Sequence, residues 1–167
     1  MEIVSKKDLD TAINGLSQTI NSYCNHHGGG IVFVCVMKGG FMFFSDLIKK
    51  IKYPIEVDFI KCSSYDGQEQ KSIEMHYDIE TNVKDKTVFL VDDILDSGNT
   101  MNELKDHYIK LGAKQVETVS AVYKENLDFP DHFFIYKQKE NENPWYIGYG
   151  MDGPKGYSRN LDTIHTL

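Results

Sequence analysis

Two short, unbroken apolar runs, at residues 31–36 and 88–91, constrain the fold of this chain more than any other feature. Both runs are rich in Val and Phe, residues that favour strands. A strand without alternating polar residues has to be covered on both faces, which is typical of parallel sheets flanked by helices. The sequence therefore predicts a buried, mostly parallel sheet.

Helical and strand patterns alternate along the chain. Apolar stripes of helical spacing predict three helices: from Ser5, the N-cap, to the glycines at 28–30; from the residue after Gly40 to the one before Pro54; and from about Asn99 to Gly112. Further strands are predicted at residues 55–59, 73–79, 116–122, 132–136 and 145–149. The first two are half-exposed, and a long loop or a hairpin that includes the polar, turn-rich segment 63–71 connects them. This order predicts an α/β fold with an open, mostly parallel sheet flanked by helices.

Length and charge exclude several classes of protein. The 167 residues suit a single domain, and 18 basic against 25 acidic residues give a net charge of −7. Such acidity disfavours a nucleic-acid or membrane-surface partner. The longest apolar run, residues 31–37, is too short to span a bilayer, and the first residues lack the apolar stretch of a secretory signal.

The cysteines and histidines predict neither disulfides nor zinc. Cys24, Cys35 and Cys62 are odd in number and form no CxxC pair, and the six histidines show no metal-ligand spacing. A reducing cytoplasm is the compartment that this pattern favours.

Residues 92–100 carry the most chemistry, because open α/β sheets bind ligands beyond the carboxyl ends of their strands. Residues 97–100, Ser-Gly-Asn-Thr, open the third predicted helix. Gly98 allows a tight turn, and backbone N–H groups, hydroxyls and the helix dipole can together bind a phosphate. The segment lacks the Walker pattern, so an ordinary ATPase is excluded.

Three acids flank this phosphate cradle. Asp92 and Asp93 continue the buried strand and are expected to point to opposite faces. Adjacent carboxylates would repel a phosphate unless Mg²⁺ or a sugar diol lies between them. Asp96 is close enough to the turn to act as a general acid or base.

Residues 88–100 resemble the phosphoribosyl pyrophosphate motif of the type I phosphoribosyltransferases. Four further segments, at 36–44, 62–65, 123–124 and 145–152, resemble hypoxanthine phosphoribosyltransferases in particular, in the same order. The resemblance implies the type I fold in one domain of residues 1–167. Its core would span about residues 25–140, and the terminal segments would form a small hood.

The resemblance implies an enzyme of purine salvage. It would transfer the 5-phosphoribosyl group of phosphoribosyl pyrophosphate to a 6-oxopurine, hypoxanthine and also guanine, and release pyrophosphate. Mg²⁺ is the implied cofactor, and a homodimer or homotetramer the implied assembly.

The resemblance also implies a role for each matching residue. Asp92 and Asp93 would hold the ribose hydroxyls directly or through Mg²⁺, and Asp96 would handle the proton on ring nitrogen 7 of the purine. The remaining implied contacts are Ser97, Gly98, Asn99 and Thr100 for the 5-phosphate, Lys38, Gly39 and Arg159 for pyrophosphate, Lys124, Trp145, Tyr146 and Asp152 for the purine, Asp152 for a second Mg²⁺, and Ser63, Ser64 and Tyr65 for a mobile lid.

Two departures from the family pattern stand out. Asp92 occupies a position where the family usually has Glu, which shortens its reach by one methylene. Residues 153–156, Gly-Pro-Lys-Gly, replace an aromatic residue of the family and add about one residue before Arg159.

Other interpretations stay open at this point. Lys38 could be a surface lysine, residues 63–71 an ordinary exposed loop and Trp145 a packing residue. The whole chain could be a non-catalytic nucleotide-binding regulator with this fold. It could also be a phosphoacceptor receiver domain, although in that fold the acidic pair follows the first strand.

Overall fold

Strands and helices alternate along the chain as the apolar pattern predicts. The structure, a computed structural model, describes residues 1–66, 71–124, 129, 132–138 and 144–167. In chain order its elements are β1 (Glu2–Val4), α1 (Lys6–His27), β2 (Ile31–Met37), α2 (Phe41–Ile48), β3 (Glu56–Asp66), β4 (Lys71–Tyr77), β5 (Thr87–Leu95), α3 (Asn99–Lys110), β6 (Gln115–Tyr123), β7 (His132–Lys137), β8 (Tyr146–Ile147) and β9 (Ile164–Thr166).

The two apolar runs form adjacent central strands, β2 and β5. The main sheet has the order β4-β3-β2-β5-β6-β7 and is parallel except for the β3–β4 pair. Phe33 and Cys35 of β2 pack with α1 and α2, whereas Val32 and Val34 pack with α3 on the opposite face. The predicted α/β fold class is confirmed, since both faces of the central strands are buried.

The two ends of the described chain meet in a second, smaller sheet. β9 lies between β1 and β8, and both pairings are antiparallel. The backbone N–H of Thr166 donates to the carbonyl of Met1 at 2.8 Å. Among the described residues, no helix is both long and apolar enough to cross a membrane.

The second helix is shorter than predicted. α2 ends at Ile48 rather than just before Pro54, and two tight turns follow it. Asn21 of α1 explains the early end, because its side-chain amide donates to the carbonyl of Lys50 at 3.0 Å and accepts from the N–H of Lys52 at 2.7 Å. Backbone groups released by the helix are therefore satisfied by a neighbouring side chain.

Two other predicted boundaries are wrong. The strand predicted at 55–59 extends to residue 66, because residues 63–66 pair with β4 and so satisfy their backbone groups despite their polar composition. Of the two predicted connections, the antiparallel pairing of β3 and β4 agrees with the hairpin rather than the long loop. Of the predicted strand at 145–149, only residues 146–147 are extended, since Gly148, Tyr149 and Gly150 all have positive φ and form a turn. Residues 67–70 of the predicted polar segment lie outside the described residues.

His132 fastens the edge strand β7 to β6. Its Nε2 lies 2.8 Å from the Ser120 hydroxyl and its Nδ1 lies 2.7 Å from the Thr118 hydroxyl. Because the Ser120 hydroxyl donates to the carbonyl of Val122, it accepts from Nε2–H, and Nδ1 then accepts from Thr118. Burial, with a smaller effect of the Lys105 charge, lowers the pKa of His132 from 6.5 to about 4.

This buried neutral histidine predicts loss of stability in mild acid. Between the unfolded pKa of 6.5 and the folded pKa of about 4, the unfolded chain binds a proton that the folded chain does not. His132 should therefore lower the free energy of unfolding by about 2 kcal/mol between about pH 7.5 and about pH 5. Urea denaturation of the wild type and His132→Gln at both pH values isolates this contribution. Equal pH dependence in both proteins would contradict it.

Candidate functional site

The parallel strands bring three separated segments to one edge of the main sheet. β2, β5 and β6 are adjacent and run in the same direction, so residues that follow them in the sequence meet at their carboxyl ends. Leu95 at the end of β5 pairs with Tyr123 at the end of β6, and the loop 37–40 follows β2. This edge contains most of the residues that the sequence singled out.

The turn between β5 and α3 forms a small concave site. Gly98 has a φ of +77°, a left-handed conformation that favours glycine, and it precedes the first residue of α3. A cavity of about 70 Å³ opens here. Its described lining comprises Asp92, Ile94, Leu95, Asp96, Ser97, Gly98, Thr100 and Met101. The positive end of α3 and the hydroxyls of residues 97 and 100 give this site the chemistry of an anion cradle.

Asp92 and Asp93 serve different cavities, as the alternation of a strand predicts. Asp92 lines the cavity of about 70 Å³ at this turn, called the phosphate-sized cavity below, whereas Asp93 lines a larger cavity beside it. The pKa of Asp92 is raised well above its ordinary value, first by removal from water and then by the neighbouring Asp93 carboxylate. A site with this excess of negative charge favours a cation or hydrogen-bond donors from a ligand.

The pair Asp92 and Asp93 suits Mg²⁺ better than it suits a metal that takes all its ligands from the protein. Among the described residues, no three His, Cys, Asp or Glu side chains converge on one point. Mg²⁺ commonly takes one or two carboxylates and fills its remaining positions with water and substrate oxygens. Asp92 and Asp93 provide two hard oxygen ligands of this kind, while Asp152 is paired with Arg159 at 2.7 Å.

A cavity of about 460 Å³ lies beside the acidic end of β5. Its described lining comprises Asp93, Ile94, Asp96, Lys124, Pro144, Trp145, Tyr146, Met151 and Asp152. The Lys124 ammonium and the Asp96 carboxylate form an ion pair across it. The Trp145 ring is 57% exposed, and its Nε1–H donates to the carbonyl of Asp152 at 3.0 Å. A flat heterocycle fits such a cavity, because it can stack on the Trp145 ring, accept a hydrogen bond from the Lys124 ammonium and donate one to the Asp96 carboxylate.

The loop at residues 37–40 packs closely against β5. Its Met37–Lys38 peptide is cis, Lys38 is exposed, and α2 begins directly after Gly40. A Cβ on Gly39 would overlap the Asp93 carboxylate. A side chain at position 39 would displace the Asp93 carboxylate, so glycine lets the loop lie close to the acidic end of β5.

The turn at residues 148–151 covers the other side of this loop. Gly150 has a φ of +98°, and a Cβ on it would overlap the carbonyl oxygen of Gly39. The carbonyl of Gly150 accepts a hydrogen bond from Arg159 Nη1 at 2.6 Å. The 37–40 loop thus contacts the 148–151 turn, and this turn contacts Arg159.

Residues 153–156, where the sequence differs from the family pattern, form a compact loop before Arg159. The N–H of Gly153 donates to the carbonyl of Tyr157 at 3.0 Å, and the N–H of Gly156 donates back to Gly153 at 2.8 Å. Ser158 has a φ of +78°, which redirects the chain and returns Arg159 to Asp152. Residues 153–158 therefore form a compact loop that brings Arg159 back to Asp152.

Of the predicted lid residues, Ser63 is not among the described residues that line these two cavities. Ser63 lies in β3, where its hydroxyl is 2.8 Å from Nε2 of His76 on β4, and the backbone of Ser64 and Tyr65 continues the same strand. Their closure over a ligand stays a prediction.

Several cavity residues were not identified from the sequence. Ile94, Pro144 and Met151 line the larger cavity but have no reactive group that would mark them. Proximity to Asp93, Trp145 and Asp152 in the sequence was the available signal. Tyr149 and Asp46, which anchor the 148–151 turn, are distant in sequence and gave no such signal.

The contact between Gly150 and Gly39 predicts that a side chain at position 150 destabilises the protein. Gly150→Ala should reduce the free energy of unfolding by about 2 kcal/mol or more, because its Cβ meets a backbone oxygen and its φ is positive. Gly15→Ala is the matched control: Gly15 is exposed in α1 with open space around it, and alanine there should stabilise by up to about 1 kcal/mol. Equal stability of Gly150→Ala and wild type in urea denaturation would contradict the contact.

Comparison with known proteins agrees with this geometry. Residues 2–153 match the family model of the phosphoribosyl transferase domain. The hypoxanthine-guanine phosphoribosyltransferase of Streptococcus thermophilus is 30% identical over 167 residues, which cover 99% of this chain and 91% of the relative. The enzyme of that name from Staphylococcus aureus is 29% identical, with 99% and 92% of the two chains covered.

Solved structures show the same similarity. A hypoxanthine-guanine phosphoribosyltransferase from Bacillus anthracis superposes with a TM-score of 0.89 at 30% identity, covering 100% of this chain and 98% of the other. A hypoxanthine phosphoribosyltransferase from Staphylococcus aureus also gives 0.89, at 26% identity and with 100% and 90% coverage. The fold, the acidic phosphate turn and the match over residues 2–153 show that the chain belongs to the phosphoribosyltransferase family.

Proposed function

We propose that this protein transfers the 5-phosphoribosyl group of phosphoribosyl pyrophosphate to hypoxanthine and guanine, in purine salvage. One observation carries the proposal: the phosphate-sized cavity and the larger cavity share Ile94 and Asp96 in their walls. A sugar phosphate in the first and a purine in the second would bring the anomeric carbon and the ring nitrogen together at this boundary. The relatives' printed names support the same reaction.

The phosphate cradle would anchor the sugar. Residues 97–100 would bind the 5-phosphate through backbone N–H groups and hydroxyls at the start of α3. Asp92 and Asp93 would accept hydrogen bonds from the ribose hydroxyls, directly or through Mg²⁺. Bound Mg²⁺ would supply positive charge that neutralises the pyrophosphate leaving group.

The larger cavity would orient the base. Trp145 offers a ring face for stacking, and Tyr146 offers backbone groups to the purine edge. The Lys124 ammonium has only donors, so it would bind the exocyclic oxygen of a 6-oxopurine and reject the amino group of adenine. Asp152 would complete the wall of the cavity and, with a second Mg²⁺, approach the pyrophosphate.

In the transfer step, ring nitrogen 9 forms a bond to the anomeric carbon while the bond from that carbon to the pyrophosphate oxygen breaks. The leaving oxygen keeps the bonding electrons, and Lys38, Gly39 and Arg159 would bind the pyrophosphate that forms. The proton on ring nitrogen 7 would pass to the Asp96 carboxylate, which lies at the boundary of the two cavities.

We extend the proposal to the setting of the enzyme. The small β1-β9-β8 sheet would serve as the hood over a single domain, and residues 63–65 would belong to a lid that excludes water during transfer. Three free cysteines support a cytoplasmic location. A homodimer or homotetramer is the expected assembly, and neither a nucleic acid nor a membrane is expected as a partner.

The regulator hypothesis is less well supported. A protein that only binds nucleotides does not need a carboxylate at the junction of the sugar and base cavities, yet Asp96 lies there. The receiver-domain hypothesis is wrong, because the acidic pair follows β5 and the chain belongs to a different family.

A panel of free bases tests the proposed reaction. With phosphoribosyl pyrophosphate and Mg²⁺, hypoxanthine and guanine should each release pyrophosphate, and adenine should not. Lys124→Ala should reduce the preference for hypoxanthine over adenine by about tenfold or more, because the donor to the exocyclic oxygen is lost. Lys110→Ala, which removes an exposed lysine of α3, should leave the preference unchanged. Nucleotide binding without turnover of any base would favour the regulator instead.

Asp96→Asn should separate catalysis from binding. The amide keeps the shape of the side chain but cannot accept the purine proton, so kcat should fall by about a hundredfold or more. Binding of IMP, followed through the fluorescence of Trp145, the one tryptophan of the chain, should weaken far less. Asp106→Asn, an exposed position on α3, serves as the control. Unchanged turnover in Asp96→Asn would remove this carboxylate from the mechanism.

A further inference from the structure

Tyr149 anchors the turn that covers the 37–40 loop. Its side chain is fully buried, and its backbone has a φ of +50°, a conformation that non-glycine residues adopt at a cost. The hydroxyl donates to Oδ2 of Asp46 at 2.8 Å. A buried hydroxyl needs a partner of this kind, so the bond determines where the turn can lie.

Asp46 is well suited to hold this hydroxyl. Its Oδ1 is 2.7 Å from the Lys49 ammonium, and its Oδ2 is 3.9 Å from the Lys6 ammonium. Burial acts to raise the pKa of Asp46, but hydrogen bonds from Lys49 and Tyr149 and the two lysine charges outweigh it and lower the pKa. The carboxylate is therefore charged, and its bond with the tyrosine hydroxyl is of the stronger, charge-assisted type.

This bond connects the turn to the helix that follows the loop. Asp46 lies on α2, which begins at Phe41 immediately after residues 37–40. The Tyr149–Asp46 bond therefore holds the 148–151 turn against the same element that carries the loop. The contact between Gly150 and Gly39 joins the turn to the loop at a second point.

The 148–151 turn also forms hydrogen bonds with Arg159. The N–H of Gly150 donates to the carbonyl of Arg159 at 3.0 Å, and the Gly150 carbonyl accepts from Nη1 of the same residue at 2.6 Å. Gly150 consequently contacts both the loop that presents Lys38 and the segment that presents Arg159. The spacing between these two cations depends on where Gly150 lies.

We propose that Tyr149 and Asp46 are positioning residues that set the distance between Lys38 and Arg159, and thereby tune the affinity for the pyrophosphate group. The inference rests on the proposed function, which gives both cations a role in binding pyrophosphate. A diphosphate has two anionic groups at a fixed separation, so two cations bind it well only when their spacing matches. The described lining of the 5-phosphate cradle includes no residue of the 148–151 turn, whereas the base cavity shares Met151 with it.

Tyr149→Phe removes the hydroxyl and keeps the ring. The KM for phosphoribosyl pyrophosphate and the Kd for inorganic pyrophosphate with Mg²⁺ should both rise by about threefold to tenfold. The KM for hypoxanthine should rise less than either, and kcat should stay within about twofold, because Lys124 and Trp145, which would bind the base, lie outside the turn. Asp46→Asn keeps an acceptor for the hydroxyl and should have a smaller effect than Asp46→Ala. Adding Tyr149→Phe to Asp46→Ala should cause little further loss, since both changes remove the same bond.

Tyr108→Phe is the matched control. Tyr108 is also fully buried, and its hydroxyl donates to Oδ1 of Asp78 at 3.0 Å, but the pair lies between α3 and the segment after β4. Its loss should lower the melting temperature without changing the KM for phosphoribosyl pyrophosphate.

The outcomes separate this inference from the proposed function. Equal increases in the KM for hypoxanthine and for phosphoribosyl pyrophosphate in Tyr149→Phe, or kinetics that match Tyr108→Phe, would overturn the positioning role. A wild type without turnover whose pyrophosphate binding is weakened by Tyr149→Phe would refute the transfer reaction and support the positioning role. A wild type that neither turns over nor binds pyrophosphate would refute both.

Discussion

The site depends on three segments that approach one another closely. The 148–151 turn lies on the 37–40 loop through Gly150 and Gly39, and Gly39 lies against the Asp93 carboxylate at the end of β5. A side chain at Gly150 would overlap a backbone oxygen and one at Gly39 would displace the Asp93 carboxylate, so the contacts leave little freedom to shift one segment alone. The smaller sheet, the loop after β2 and the acidic strand end therefore form one rigid unit around the cavities.

The cations of the site are paired with acids. The chain carries a net charge of −7, yet its only arginine and Lys124 both lie near the carboxyl edge of the sheet. Each is paired with an acid there, Arg159 with Asp152 and Lys124 with Asp96. A ligand with acceptor groups would replace these acids as partner of the cations, so neither charge would have to be buried alone. Burial and the Asp93 carboxylate raise the pKa of Asp92, so a cation beside these two acids would be favoured.

Errors of the sequence-based prediction occurred where groups outside the local segment satisfy the backbone. The apolar stripe of α2 continues to Ile51, but the amide of Asn21 on α1, far away in the sequence, takes over the backbone groups of residues 50 and 52. Residues 63–66 are polar and turn-rich in composition, but backbone pairing with β4 makes them part of a strand. Local propensity does not report such partners. The terminal strands β1 and β9 were missed because each is too short to be recognised alone and the two pair with each other from opposite ends of the chain.

The sequence by itself determined the fold class, the central strands and the phosphate turn, because these depend on local periodicity and on a run of residues that acts as a unit. It also identified the candidate residues one segment at a time. Only the tertiary structure decided which of them meet: that Asp92 and Asp93 face separate cavities, that Lys124 pairs with Asp96, and that a compact loop brings Arg159 back to Asp152. Contacts of this kind join distant parts of the chain through packing and direction of side chains, and no local pattern in the sequence encodes them.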